Sequence, residues 1–194
     1  RRFGALLGVI GFMVSLVGHE LDHSYVAQRN GVRVVEITLW LFGGVAKLEG
    51  DADEPGAEFR IAAAGPAMSM VMAVLFGVSA WGINWFDGSR VLLGLLIWLA
   101  AINVVLAVSN LLPAFPLDGG RMLRAALWRR SGTKRSATRT ASMIGQVLAG
   151  VMVVAAIVLF FPMHDRWSGA WIFALGAFLF VAARSQWKDA ADRP

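Results

Sequence analysis

Polar residues punctuate this chain at long intervals. Between them run five apolar segments, about Phe3–Gln28, Ile61–Ile83, Val91–Leu112, Ala141–Phe161 and Gly169–Ala183. A helix needs about 20 residues to cross a hydrocarbon core, so the pattern predicts about five transmembrane helices. The last segment is short and leans on Trp167, Trp171 and Trp187 as interfacial anchors. Between the first two, Val32–Leu48 (VRVVEITLWLFGGVAKL) is rich in β-branched and aromatic residues and is broken at Gly43-Gly44. That composition predicts a β-hairpin or short sheet. A lone hairpin is marginally stable, so it is expected to pack on the helices or dip into the membrane. The predicted fold class is an all-α polytopic membrane protein with a small membrane-associated β-hairpin or sheet after the first helix.

Composition agrees with this pattern. The chain is 57% hydrophobic and only 16% charged, whereas a soluble domain carries about 25% charge. It has no cysteine, which excludes disulfides and leaves His, Asp and Glu to hold any metal. The net charge of +5 is concentrated in Arg121–Arg139, where Arg121, Arg124, Arg129, Arg130, Lys134, Arg135 and Arg139 stand without an intervening acid. Beside apolar spans such a run predicts a cytoplasmic loop touching anionic lipid, and no nucleic-acid partner. Counting outward, Arg29–Arg60 and the C-terminal tail also face the cytoplasm, while Gly82–Arg90 and Pro162–Ser168, with His164, face outside. The N-terminus then falls outside with Arg1 and Arg2, an unfavourable arrangement that one further upstream span would repair. The expectation is a single membrane-embedded domain over 1–194 that lacks the first of six helices. Glu49, Asp51, Asp53, Glu54 and Glu58 read as a solvated acidic turn.

Charge is costly inside an apolar stretch, yet the first segment ends in His19-Glu20-Leu21-Asp22-His23. Ionisable groups at membrane depth mark functional sites. On a helix His19 and His23 lie one turn apart on one face, and both imidazoles can reach one Zn²⁺ at about 2.0–2.1 Å. Glu20 points beside the metal, which suits a general base for a bound water. The plain alternative is two histidines hydrogen-bonded in a helix bundle, although two of the three histidines in the chain fall in this motif. Asp22 reads as a non-ligand that faces water or pairs with Arg29.

A catalytic zinc takes a third protein ligand and keeps an open position. The candidate is Asp118, in the stretch from Asn110 to Arg121 (NLLPAFPLDGGR). Pro113, Pro116 and the Gly119-Gly120 pair end the third segment and set Asp118 in a rigid bend. The alternative is an Asp-Gly turn that merely terminates a helix. Depth favours the ligand reading. His19–His23 lie about 6–10 residues from Arg29, or roughly 9–15 Å along the axis, and Asp118 follows the cytoplasmic end of the third segment.

HELDH, LFGGVAKL, AAAGPAMS and NLLPAFPLDGGR, in this order, resemble the site-2 protease family of intramembrane zinc metalloproteases. The likeness is greatest to the compact bacterial and archaeal branch without a PDZ insertion, whose members often carry C-terminal CBS domains. The resemblance implies His19, His23 and Asp118 as ligands of one zinc per chain and Glu20 as the base. It implies Asn110 as a contact to substrate or oxyanion, against the alternative of an interhelical hydrogen bond. Asn103, one heptad earlier, reads as only such a bond. The Val34–Leu48 region matches the sheet thought to receive unwound substrate as an added strand. Gly65-Pro66 is expected to permit close helix packing near the metal. Gln146 and Ser142 read as packing groups, and the methionines as core or lipid contacts.

The function so implied is cleavage of transmembrane segments of single-span regulators, such as anti-sigma factors or membrane-tethered transcription factors. It would take place in the plasma membrane, with the active site toward the cytoplasm. A membrane metal-binding or transport protein would want polar residues lining a path across several spans, and the external half offers few beyond Asn84, Asp87 and Arg90. An inactive relative that only binds membrane proteins should have lost its ligands, and here all four key residues are present.

Overall fold

The computed structural model describes residues 2–40, 43–49, 52–86, 88–161 and 165–192, with backbone alone for 2–3, 33–40, 43–49 and 189–192. His164, Asp51 and Asp87 lie outside the described residues. The chain forms two compact units, Arg1–Asn110 and Leu111–Pro194.

The first unit contains three long helices, α1 (Arg2–Arg29), α2 (Pro55–Trp85) and α3 (Arg90–Asn110). Between α1 and α2 the backbone runs as β1 (Arg33–Trp40) and β2 (Gly43–Glu49). These pair antiparallel, Arg33 opposite Glu49 and Trp40 opposite Gly43, with an irregularity between Val34 and Glu36. Leu41 and Phe42 lie outside the described residues. Without a hydrophobic drive between helices in lipid, close packing needs small side chains. On α1, Gly4, Gly8, Gly11 and Ser15 face Val91, Leu95, Leu99 and Asn103 of α3 in matching order, so the two helices run parallel. Gly11 meets Leu99 so tightly that a Cβ would lie 2.8 Å from its Cδ1. Asn103 is fully buried and donates from Nδ2 to Ser15 Oγ at 2.9 Å, the interhelical bond expected of it. Gly18 packs on Met68 and Met72 of the antiparallel α2.

Pro55 opens α2, where its missing N–H costs nothing. The helix therefore begins six residues before the apolar run and takes in Glu58, which is 1% exposed. Glu58 thus corrects the reading of a solvated acidic turn. Its charge hid the fact that it stands in the first helical turn, where a carboxylate suits the macrodipole.

The second unit contains α4 (Asp118–Ser131), α5 (Lys134–Phe160) and α6 (Arg166–Asp192). Gly145 and Ala149 on α5 meet Ala183 and Gly176 on α6, and Gly169 lies against Ala156 and Phe160. The seven-residue spacing of Gly169, Gly176 and Ala183 keeps these small residues on one face. Ser142 is buried on α5 as a packing group. Asp165 stands just before α6 and accepts from the Ser168 N–H at 3.1 Å. The Ser168 side chain holds the Asp165 carboxyl below the usual carboxylate range.

The expected basic loop is largely helical, a second correction. Leu, Met, Ala and Arg from Arg121 to Arg130 are strong helix formers, and α4 ends where Gly132 adopts φ 72° and donates to the Trp128 carbonyl. Arg129 and Arg130 lie in the last turn, where cations suit the helix dipole. Among the described residues, five helices, α1, α2, α3, α5 and α6, are long and apolar enough to cross a membrane. Large apolar side chains such as Val9, Val74, Val105, Val147 and Val181 are exposed on them, as lipid-facing residues are. The chain is a multi-pass membrane protein.

Candidate metal centre

His19 and His23 fall on the inward face of α1 and are 3% and 8% exposed. Their rings stand edge to face at 81°, with centroids 4.9 Å apart. Each is held at Nδ1 from α2. His23 donates to the Ile61 carbonyl at 2.7 Å. A carbonyl only accepts, so Nδ1 carries the proton and Nε2 keeps its lone pair. His19 Nδ1 lies 2.8 Å from the hydroxyl of Ser69, which is fully buried. The two Nε2 atoms are 3.3 Å apart. Two nitrogens bound tetrahedrally to zinc at about 2.0–2.1 Å would stand about 3.3–3.4 Å from each other. The pair therefore has the separation of zinc ligands.

Room for the rings comes from Gly65. A Cβ at this position would overlap the Nε2 atoms of both His23 and His19. Pro66 follows inside α2 and removes the N–H that would bond the Ala62 carbonyl, which loosens the turn that presents Ile61. The expectation of close packing at Gly65-Pro66 is met. Sequence reasoning missed Ser69 and the Ile61 carbonyl as partners of the histidines. The spacing of Ser69 four residues after Gly65 was the available signal, because it places both on one face.

Glu20 lies next to His19 on α1 and is half-buried. Asp22 is also half-buried, and Arg29 lies with its guanidinium 4.6 Å above the Tyr25 ring. Asn110 ends α3 and donates to the Leu106 carbonyl of its own helix at 3.0 Å.

Within the second unit, Asp118 is the first residue of α4 and is 8% exposed. This corrects the reading of a bend: the turn occupies Leu111–Leu117, and Asp118 begins the helix. Gly119 and Gly120 bring α4 against that turn. A Cβ on Gly119 would collide with the Leu111 and Leu112 carbonyls, and one on Gly120 would lie 2.7 Å from the Ala114 carbonyl carbon. The guanidinium of Arg124 sits 5.4 Å from the centre of the Phe115 ring on the same turn. The DGG sequence thus fixes the place of Asp118 through backbone contact on both glycines.

A buried histidine pair on an HExxH helix, among helices apolar enough to span a membrane, has the character of a membrane-embedded metal-binding site. The sequence profile of Peptidase family M50 matches residues 7–90 and 88–155, and the chain belongs to this family. It is 42% identical over 179 residues to Rip3 of Mycobacterium tuberculosis, covering 92% of this chain and 45% of the relative. It is 39% identical over 156 residues to the zinc metalloprotease MJ0392 of Methanocaldococcus jannaschii, covering 80% of this chain and 44% of the relative. The solved structure of a site-2 protease from Methanocaldococcus jannaschii superposes with a TM-score of 0.65 at 33% identity, over 92% of this chain and 76% of that one. The chain spans about half the length of the curated relatives it matches. Zinc is the metal that this family membership indicates, and the histidine pair fits it.

Proposed function

We propose that this chain is the catalytic part of an intramembrane zinc metalloendopeptidase. It cleaves transmembrane segments of single-span regulatory proteins, such as anti-sigma factors or membrane-tethered regulators. The observation that carries this reading is the pair of buried imidazoles on a spanning helix, with their Nε2 atoms 3.3 Å apart.

His19, His23 and Asp118 are the residues assigned to hold zinc, two imidazoles and one carboxylate. Zinc held there would supply Lewis acidity to the scissile carbonyl and would acidify the attacking water to a pKa of about 7. Glu20 accepts a proton from the attacking water as the new C–O bond forms. It then delivers that proton to the amine as the C–N bond breaks. Asn110 is assigned to the substrate backbone or the oxyanion. A helical peptide bond is shielded by its own hydrogen bonds, so the substrate must be extended first. A membrane-associated hairpin of β1 and β2 would give the unwound backbone replacement partners by strand addition. The basic residues of α4 and early α5 support an active site toward the cytoplasm.

The test measures zinc content and cleavage of a model single-span substrate in liposomes, wild type against Glu20→Gln. About one zinc per chain in both, with cleavage in the wild type alone, is the expected result. Equal cleavage by both proteins would sink the assignment of Glu20.

A further inference from the structure

We infer that Ser69 is a positioning residue for the metal centre: its hydroxyl holds the His19 ring at Nδ1 and accepts the Nδ1 proton when the Nε2 lone pair is given to the metal. The inference rests on the metal site proposed above and deepens it.

The two histidines are held in chemically different ways. His23 donates to a backbone carbonyl, an acceptor only, so its tautomer is decided by the backbone of α2. His19 faces a hydroxyl at 2.8 Å, which can accept or donate. Two arrangements therefore compete. In one, His19 carries its proton on Nδ1 and Ser69 accepts it, so that both Nε2 lone pairs converge. In the other, His19 carries its proton on Nε2 and points it at the Nε2 of His23, 3.3 Å away. That second arrangement is a histidine–histidine hydrogen bond, and it occupies the place of the metal. Ser69 can serve either arrangement by rotating its hydroxyl, so metal entry need not leave His19 Nδ1 without a partner. An alanine at this position removes the acceptor. Both arrangements lose a bond at Nδ1, but the metal-ready one loses more, because a ring that gives its Nε2 lone pair to a cation is the stronger donor at Nδ1. Ser69 itself is fully buried, so water is poorly placed to stand in for it.

Removal of such a supporting partner typically weakens metal binding about 10–100-fold. The experiment titrates zinc against a competing chelator with the full chain in detergent. It compares the wild type, Ser69→Ala, Ser69→Thr, His19→Ala and, as a buried serine of the second unit, Ser142→Ala. A parallel measurement records ¹⁵N-imidazole NMR spectra of the zinc-free and zinc-loaded proteins, which is tractable with three histidines in the chain. The expected result is a roughly 10–100-fold loss of zinc affinity in Ser69→Ala. Ser69→Thr should recover toward the wild type, and Ser142→Ala should be unchanged. In the zinc-loaded wild type, the His19 resonances should report protonated Nδ1. Ser69→Ala with wild-type affinity and wild-type histidine resonances overturns the inference. So does a loss of affinity in Ser69→Ala accompanied by an equal fall in zinc-free thermal stability, which assigns Ser69 to packing. Failure of the underlying site looks different: the wild type would bind no zinc, and His19→Ala would match it.

Discussion

Gly65 of α2 stands so close to His23 of α1 that a Cβ on the glycine would overlap the ring Nε2. The same Cβ would reach the Nε2 of His19. One hydrogen atom in place of a methyl group thus keeps clear the space beside both Nε2 atoms. Gly65→Ala is expected to lower zinc content from about one per chain toward zero. Elemental analysis of purified protein checks this, and helicity by circular dichroism separates site loss from misfolding.

The turn before Asp118 makes a second prediction. Gly119 and Gly120 touch backbone atoms of Leu111, Leu112 and Ala114, and backbone cannot rotate away as a side chain can. Gly120→Ala is expected to cost about 1–3 kcal/mol by overpacking. It should also displace Asp118 and so reduce zinc affinity. Thermal unfolding in detergent and chelator competition measure the two effects separately.

Asn103 and Ser15 join α3 to α1 through one buried bond. Hydrogen bonds between membrane helices are worth about 0.6 kcal/mol on average, with a maximum near 1.7. The coupling energy from a double-mutant cycle of Asn103→Ala and Ser15→Ala is expected to fall in that range. The His19–Ser69 and His23–Ile61 bonds do not involve either residue, so zinc stoichiometry should stay at the wild-type level.

The absence of cysteine gives a clean background for mapping orientation. Ser131, exposed at the end of basic α4, is expected to face the cytoplasm, and Ser89, exposed between α2 and α3, the opposite side. A membrane-impermeant thiol reagent added to intact cells should label Ser89→Cys and spare Ser131→Cys. Labelling in the reverse pattern would place the site on the external face.

Much of this fold is legible along the chain because lipid imposes a simple code. A spanning helix must be apolar over about 20 residues, and α1, α2, α3, α5 and α6 each cover one of the five predicted segments, apart from Leu111, Leu112 and Phe161 just beyond the helix ends. Polar residues lengthen these helices beyond the apolar runs, so Pro55–Arg60 and Lys134–Thr140 were read as loop although they are helical. Helix α4 escaped for the same reason. Its arginines mark topology, while its helical state depends on Leu, Met and Ala between them and on Gly132 at its end.

His19, Glu20 and His23 were legible because their spacing is a property of the helix itself, as four residues complete about one turn. The contacts that orient them are not periodic in sequence. Ile61 and Ser69 lie 38 and 50 residues from their histidines. Only the packing of α2 on α1 decides that a carbonyl and a hydroxyl, and not two other groups, meet the Nδ1 atoms. The sequence by itself determined a membrane protein with an HExxH helix, because hydropathy and helical spacing are local. The tertiary structure decided the tautomer of His23, the space kept at Gly65 and the helical setting of Asp118. Each of these depends on which backbone atoms come close in three dimensions, and no local pattern encodes that.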